Sequence, residues 1–427
     1  MALASSTRAS ALSASVARRP PLSAFRRASR ARHGRRARHA AASAVDTVPL
    51  GVDGGAYAKE LASALDAVRL ASELCQEVQG QLMRMDEQAE TKEDRSLVTL
   101  ADYAAQAIIS WYARIAQDFP DMTLVGEEDA EALTEGGEGG AETLNKVTNL
   151  VNKTLKGHMG EKAPTLSSQD VVDAINRGQS TGGPTGKHWI LDPVDGTLGF
   201  VRGDQYAIAL ALMDDGDLKV GVMGCPNMPK TGEVLEFQES YAYGFSPRLV
   251  SKMLAGDSLG WYKGCIFTAV RGKGAYMFPT DPTLKFEPVK VSVSEAFDPR
   301  KAKFTEPVMK ANSSQGFTAA VATNLGIECK PLRIYSQVKY GSVARADADV
   351  FMKFPKAGYM EKIWDHAAGV ILVEEAGGTV SDAGGAPLNF AGGRYIEGLD
   401  RGIIAASSAL HAKLLDSVAK SWSSSQL

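Results

Sequence analysis

Residues 189–197 read Trp189-Ile190-Leu191-Asp192-Pro193-Val194-Asp195-Gly196-Thr197, an apolar run that delivers two carboxylates three residues apart and then breaks at glycine. Pro193 stiffens the turn, so Asp192 and Asp195 can face one point with the Val194 carbonyl turned toward it. A hard cation such as Mg2+ accepts this mixture of carboxylate, carbonyl and water oxygens. The Gly196-Thr197 step begins a helical turn, whose free N–H groups meet a phosphate oxygen with the favourable dipole sign. A cation site and an anion site would then lie side by side. Taken alone, the pentapeptide serves equally well as a plain polar turn.

Two further segments bear on that choice. Gly126-Glu127-Glu128 follows an apolar run and offers a second source of carboxylates. Trp364-Asp365-His366-Ala367-Ala368-Gly369 puts Asp365 at the start of a helix whose first turn is built from small residues. Asp365 by itself reads as a helix N-cap. His366 by itself reads as a packed or hydrogen-bonded histidine rather than a ligand or base.

These groups need rigid elements behind them. Leu61, Leu65, Val68, Ala71, Cys75, Val78 and Leu82 recur at steps of three and four, which predicts an amphipathic helix over about 57–85. Thr99 and Asp102 open a second periodic run, through Tyr103, Ile108, Ile109, Trp111 and Ile115, that stops at Phe119-Pro120. A short strand over 122–125 leads directly into the Glu127 segment. Residues 130–187 carry Gly136-Gly137, Gly139-Gly140 and Gly182-Gly183-Pro184 and read as an irregular insert around one helix near 167–176. Strand patterns follow at 189–191, 206–213, 219–223, 234–237, 265–270 and 275–278, with Asp214-Asp215-Gly216-Asp217 as a hairpin turn. Farther on, helices near 314–325, 366–376 and 408–420 alternate with short strands near 331–334, 349–353, 378–381 and 402–406. The chain thus reads as α/β in two parts. An N-terminal subdomain over 50–280 holds a mixed or antiparallel sheet, and 281–427 forms a smaller α/β layer.

At 427 residues, with 44% hydrophobic and 23% charged residues, the chain has a sizeable core available and excludes collagen-like, mostly disordered and disulfide-scaffold classes. Residues 1–45 differ: ten Arg, no Lys and no acidic residue, with Ala and Ser filling most other places. That bias is the pattern of a cleavable transit peptide, disordered before removal, and points to a chloroplast, with a mitochondrion as the alternative. A basic arm for nucleic acid is disfavoured because Phe25 alone is interleaved among the arginines as a stacking aromatic. Removing the ten charges takes the formal net charge from −3 to −13. Phosphate binding therefore cannot rest on bulk positive charge and needs bound cations or a few placed Lys and Arg. No run approaches the ~20 apolar residues that would span a bilayer, so neither a membrane nor a nucleic-acid polymer is an expected partner. Cys75, Cys225, Cys265 and Cys329 show no zinc-type spacing and read as buried reduced thiols, with a Cys225–Cys265 regulatory disulfide left open. Nothing separates monomer from homodimer.

Asp102, Glu127-Glu128, the stretch at 192–197 and Trp364-Asp365 together, in that order, resemble the defining pattern of the lithium-sensitive, Mg2+-dependent phosphatases of the inositol-monophosphatase-like superfamily. The resemblance runs from about 57 to 408. Gly199-Phe200-Val201-Arg202-Gly203-Asp204-Gln205-Tyr206-Ala207 looks like the G-F-x-R-G-[DE]-Q-[FY]-A run of the bisphosphate nucleotidase branch. Asp102-Tyr103-Ala104-Ala105-Gln106, Gly224-Cys225-Pro226-Asn227, Ser336-Gln337-Val338-Lys339-Tyr340 and Glu361-Lys362-Ile363-Trp364-Asp365-His366 are similar to the same branch.

The resemblance implies an αβαβα sandwich. It also implies two or three Mg2+ ions held by Glu127, Asp192, the Val194 carbonyl, Asp195 and Asp365, with Asp102 near the additional one. Thr197 with Asp102 would orient and deprotonate the attacking water, with Glu127 also in the catalytic set. Gly196, Thr197, Asp365, Ser336, Lys339, Lys353 and Gln315 would face the substrate, although either lysine alone could be an ordinary surface charge. Gln315 stands where the family's S-S-H-D stretch has histidine, Lys353 where relatives often carry Arg, and Leu198 where Lys or Arg is usual. These departures bear on affinity and substrate choice more than on hydrolysis, because every metal carboxylate is present.

The implied activity is hydrolysis of the 3'-phosphate of adenosine 3',5'-bisphosphate, with 3'-phosphoadenylyl sulfate as a second substrate, which would clear a by-product of sulfotransferase reactions. An inositol polyphosphate 1-phosphatase or an inositol monophosphatase is the same-class alternative. A non-catalytic nucleotide or redox sensor is the alternative of another class.

Overall fold

Period-two alternation along the strands sets the layers. In strand β3, Ala207–Asp214, the side chains of Ile208, Leu210 and Leu212 enter one core, while Ala207, Ala209, Ala211 and Met213 enter another. The first core is filled by long helices; the second is thin, and its small residues let a short helix approach closely.

The computed structural model describes residues 52–84, 92–112, 119, 122–230, 263–284, 286–295, 298–308 and 313–424. The arginine-rich leader and the strand expected at 234–237 lie outside the described residues. In order, the elements are α1 (Ala58–Leu82), α2 (Lys92–Tyr112), β1 (Thr123–Gly126), α3 (Glu131–Thr134), α4 (Gly137–Met159), α5 (Ser168–Asn176), β2 (Lys187–Asp195), α6 (Thr197–Arg202) and β3. Next come β4 (Asp217–Pro229), β5 (Lys263–Val270), β6 (Gly274–Pro279), β7 (Val289–Val291), β8 (Phe304–Glu306), α7 (Gln315–Leu325), β9 (Leu332–Arg333) and α8 (Val338–Ala344). The last are β10 (Val350–Lys353), α9 (Ala367–Glu375), β11 (Gly378–Asp382), β12 (Ile403–Ser407) and α10 (Ser408–Ser424).

Strands β1 to β7 lie in sequence order in one sheet, parallel only between β1 and β2. The second sheet runs β11-β12-β10-β8-β9 and is mixed. Helices α1, α2, α4 and α5 cover the outer face of the first sheet, α8 and α9 fill the space between the sheets, and α7 and α10 cover the second sheet. That is the expected αβαβα sandwich. Gly221 of β4 marks the tightest part of the middle layer, since a Cβ there would come within 2.5 Å of Ile371 Cγ2 on α9.

The structure corrects four local readings. The segment 130–187 is not an irregular insert around a single helix: α4 runs for 23 residues and buries Val147, Leu150, Val151 and Leu155. Its glycines cluster at the N-terminal end, with Gly137 at φ +62°, and conceal the helical period that follows. Helix α2 begins at Lys92, ahead of the expected Thr99. Strand β2 continues through Asp195, so Pro193 sits in a β-bulge rather than a turn. Asp192 pairs with Ala209 and Asp195 with Ala207, so three steps on β2 oppose two on β3. Proline has no N–H for a ladder, and a bulge spares it one. Helix α8 and strands β7 and β8 are short elements that the sequence reading leaves as loops.

The Asp214-to-Asp217 hairpin forms as expected, with Asp215 and Gly216 at φ +49° and +83°. Cys225 and Cys265 face each other across β4 and β5 as buried free thiols. Among the described residues no helix is long and apolar enough to cross a membrane.

Candidate active site

Four elements deliver acidic groups to one region. Asp102 rides on α2, Glu127 and Glu128 follow β1, the bulged end of β2 carries Asp192, Val194 and Asp195, and the single turn Ile363–Asp365 ends in Asp365. Asp192 is 2% exposed, and its Oδ1 has no hydrogen-bond partner among the described residues. Burial pushes its carboxyl well above the usual range, and Glu127, Asp195, Asp365 and Asp102 push it further. Burial likewise raises Asp102, with Glu128 and Glu127 adding to it. Asp195 is pushed up to about 7 by burial and by Asp365, against the pull of Lys339, the Gln337 N–H and Lys353. Glu128 also reaches about 7, through burial, Glu127 and Asp129, with Lys362 opposing.

Such crowding of half-buried carboxylates around a buried one is costly unless a cation satisfies them. The side-chain cations at hand meet only part of the need: Lys362 Nζ lies 3.0 Å from Glu127 Oε1 and Lys353 Nζ lies 4.0 Å from Asp365 Oδ2. An orphaned buried oxygen on Asp192, amid oxygen-only donors, fits a hard divalent cation.

A cleft of about 370 Å³ opens beside these acids, lined among others by Asp195, Gly196, Thr197, Ser336, Lys339, Lys353 and Asp365. Seven residues expected at the site thus meet in one place. Gly196, at φ +90°, stands against Ser336, itself at φ +63°, and a Cβ on Gly196 would lie 2.8 Å from Ser336 Cβ. Only glycine suits both the conformation and the approach. Neither lysine is an ordinary surface charge. Lys339 is buried, its ammonium donates to the Ser336 carbonyl at 2.6 Å, and burial pushes it down to about 8 despite Asp195. Lys353 Nζ donates to Glu361 Oε2 at 2.6 Å.

His366 is the hydrogen-bonded core histidine its sequence context suggests. Its Nδ1 meets the Tyr340 hydroxyl at 2.7 Å and its Nε2 meets Glu361 Oε2 at 3.0 Å. Burial pushes Glu361 upward, but the hydrogen bond from His366 and the charge of Lys353 hold it down to about 2.

Gln315 is not in this cleft. It lines a neighbouring cavity of about 1010 Å³ that shares Ser313 and Tyr359 with the first, and its Nε2 donates to the Pro307 carbonyl at 2.8 Å. Thr197 and Asp102 come from adjacent elements, but among the described residues no hydrogen bond joins them.

Sequence reasoning missed the residues that position the acids. Gln106, one turn after Asp102 on the same face of α2, donates to the Glu128 carbonyl at 2.6 Å and accepts from the Glu128 N–H at 3.1 Å. The Gln337 N–H donates to Asp195 Oδ2 at 2.5 Å, while its side chain donates to the Trp364 carbonyl and accepts from the Gly369 N–H. Both glutamines lie inside segments quoted for the resemblance, and that was the available signal.

Asp195 and Glu128 sit above the ordinary carboxylate range, so the stability they contribute is complete below about pH 4 and is lost as pH rises through about 7. The chelator-treated chain is expected to melt at falling temperature between about pH 4 and 7, and a divalent cation should flatten that slope. Thermal melts over this range check it; a melting temperature that rises with pH would count against the crowded cluster.

A five-layer α/β sandwich with a buried acidic cluster and a lysine-lined cleft defines a class of protein that handles phosphate esters through metal-supporting carboxylates. The chain belongs to the inositol monophosphatase family, whose model matches residues 58–423; the family's enzymes are generally metal-dependent. It is similar to a 3',5'-bisphosphate nucleotidase of Arabidopsis thaliana, 46% identical over 86% of this chain and 98% of that one. A 3'(2'),5'-bisphosphate nucleotidase of Oryza sativa is 42% identical over 86% and 95%. One from Schizosaccharomyces pombe is 38% identical over 83% and 94%.

Proposed function

We propose that this chain is a Mg2+-dependent phosphomonoesterase that hydrolyses the 3'-phosphate of adenosine 3',5'-bisphosphate, yielding AMP and phosphate. The observation that carries the reading is the buried, unpartnered Asp192 oxygen amid four further carboxylates, beside a cleft that presents Lys339 and Lys353. The names of the relatives supply the substrate class.

Glu127, Asp192, the Val194 carbonyl, Asp195 and Asp365 would hold two or three Mg2+ ions, with Asp102 near the last. When bound, they supply Lewis-acid stabilisation of the scissile phosphate and of the leaving ribose oxygen. Thr197, exposed at the start of α6, would orient the attacking water and pass its proton toward Asp102 on the neighbouring α2, a link that substrate and cations would have to complete. Lys339 and Lys353 face the phosphate that is not cleaved. In-line displacement needs no covalent phosphoenzyme. The adjoining cavity, lined by Phe354, Tyr359 and Trp422, offers room for a base beyond the ribose. 3'-Phosphoadenylyl sulfate as a second substrate, inhibition by lithium and a chloroplast location belong to the same reading; for the last, the arginine-rich leader is the support.

The test compares phosphate release from adenosine 3',5'-bisphosphate and inositol 1,4-bisphosphate at equal low concentration with Mg2+, using the chain from residue 46 onward. Strong preference for the nucleotide is expected. Preference for the inositol ester would keep the metal site and overturn the substrate.

A further inference from the structure

Glu127 leaves the end of β1 and Asp365 closes a single helical turn far along the chain, yet the charges of both act on Asp192. The residue that ties their segments together is Arg394, in the connection between β11 and β12. Its Nη2 donates to the Gly126 carbonyl at 2.6 Å, and its Nη1 donates to the carbonyls of Gly178 and Ser180 at 3.0 and 3.2 Å. Gly178 and Ser180 belong to the stretch that lies along β1. The Gly126 N–H donates to Gly178, the Ser180 N–H donates to Leu124, and Val125 bridges to Gln179. The guanidinium therefore grips three backbone oxygens, one of them on the last residue before Glu127 and two on the stretch beside it.

The same guanidinium lies over the ring of Trp364, 4.6 Å from its centroid, next to Asp365. Its backbone carbonyl accepts from the Ile363 N–H at 3.1 Å, and Ile396 donates to Glu361 at 2.8 Å, so 394–396 pairs with 361–363. Lys362 completes the clamp: its ammonium lies 5.2 Å from the Trp364 ring centroid and 3.0 Å from Glu127 Oε1.

We infer that Arg394 is a positioning residue for the cation site, fixing the separation of Glu127 and Asp365 through three carbonyls and the Trp364 ring. This rests on the metal reading given above. A guanidinium suits the task because it presents several donors in a rigid plane, stacks on an aromatic face and stays charged at every working pH; a lysine ammonium offers neither the fork nor the stacking plane.

The test uses the full chain and Mn2+ alone as probe, read by thermal shift, with phosphate release as a second readout. Arg394→Met keeps apolar contact with Trp364 and removes all three hydrogen bonds. The Mn2+ concentration for half-maximal stabilisation is expected to rise about 10- to 100-fold, as for other residues that orient metal ligands. Turnover at saturating Mn2+ should stay within about threefold of the unsubstituted chain. A purely architectural role would lower the melting temperature of the chelated protein and leave the Mn2+ half-point in place; that result overturns the inference. Should Arg394→Met fail to fold, Arg394→Lys decides, because an unchanged half-point in a folded lysine variant overturns the inference and a raised one supports it. If Mn2+ does not stabilise the unsubstituted chain, the metal reading falls and the inference with it, a result distinct from any failure in the variants.

Discussion

Replacing Asp192 by asparagine is expected to cut turnover by about a thousandfold, roughly 4 kcal/mol of transition-state stabilisation, without unfolding the chain. The carboxylate and the amide have nearly the same shape, so the bulge that carries residue 192 has no packing reason to rearrange. What changes is charge. Asp192 lies within electrostatic reach of four other carboxylates, and its Oδ1 meets no donor among the described residues. Removing its charge weakens cation binding and at the same time relieves repulsion in the metal-free protein. The melting temperature of the chelated Asp192→Asn chain should therefore equal or exceed that of the unsubstituted chain, while phosphate release collapses. Unchanged turnover would remove Asp192 from the metal site; a large loss of melting temperature would mean that it holds the fold instead.

Thr197→Ala is expected to lower kcat about a hundredfold with little change in the Mg2+ concentration needed for half-maximal rate, and Thr197→Ser to restore most of it. Thr197 is exposed at the first position of α6 and lines the cleft beside Asp195. Among the described residues no hydrogen bond holds its hydroxyl, which leaves it available to a water molecule. Steady-state kinetics of both variants across a Mg2+ titration separates the roles. A shift in the metal half-point with kcat preserved would make Thr197 a ligand support and not a proton relay.

The legible part of this protein is the part in which residue type alone carries information. Helix α1 declares itself by apolar residues at steps of three and four, the hairpin by Asp215-Gly216, and the acids by the improbability of four carboxylate segments in order. The bulge at Pro193 was readable as a disturbance of the chain, though not as a continuation of the strand, because that depends on the pairing of β2 with β3. Helix α4 was hidden by glycines crowded at its start. Gln106, Gln337 and Arg394 were silent for a common reason: their partners are mostly backbone groups, which every residue has, and only the folded chain shows which ones come within reach. Gln315 was read as facing the substrate from its place in a motif, and only the fold shows that it lines the adjoining cavity rather than the cleft beside Asp195.

The positions of acids and lysines along the chain also matter while the protein is being made. Asp102, Glu127, Asp192 and Asp195 leave the ribosome well before Lys339, Lys353 and Lys362, whose ammonium groups lie beside Glu127 or offset the charge of Asp195 in the finished fold. While the stretch between Asp195 and Lys339 is being synthesised, a nascent chain holds these acids of its active site without the built-in counter-charges. The first sheet would have to assemble around that repulsion or borrow ions from its surroundings, so the divalent cation supply of the compartment would influence how fast the protein matures as well as how fast it works.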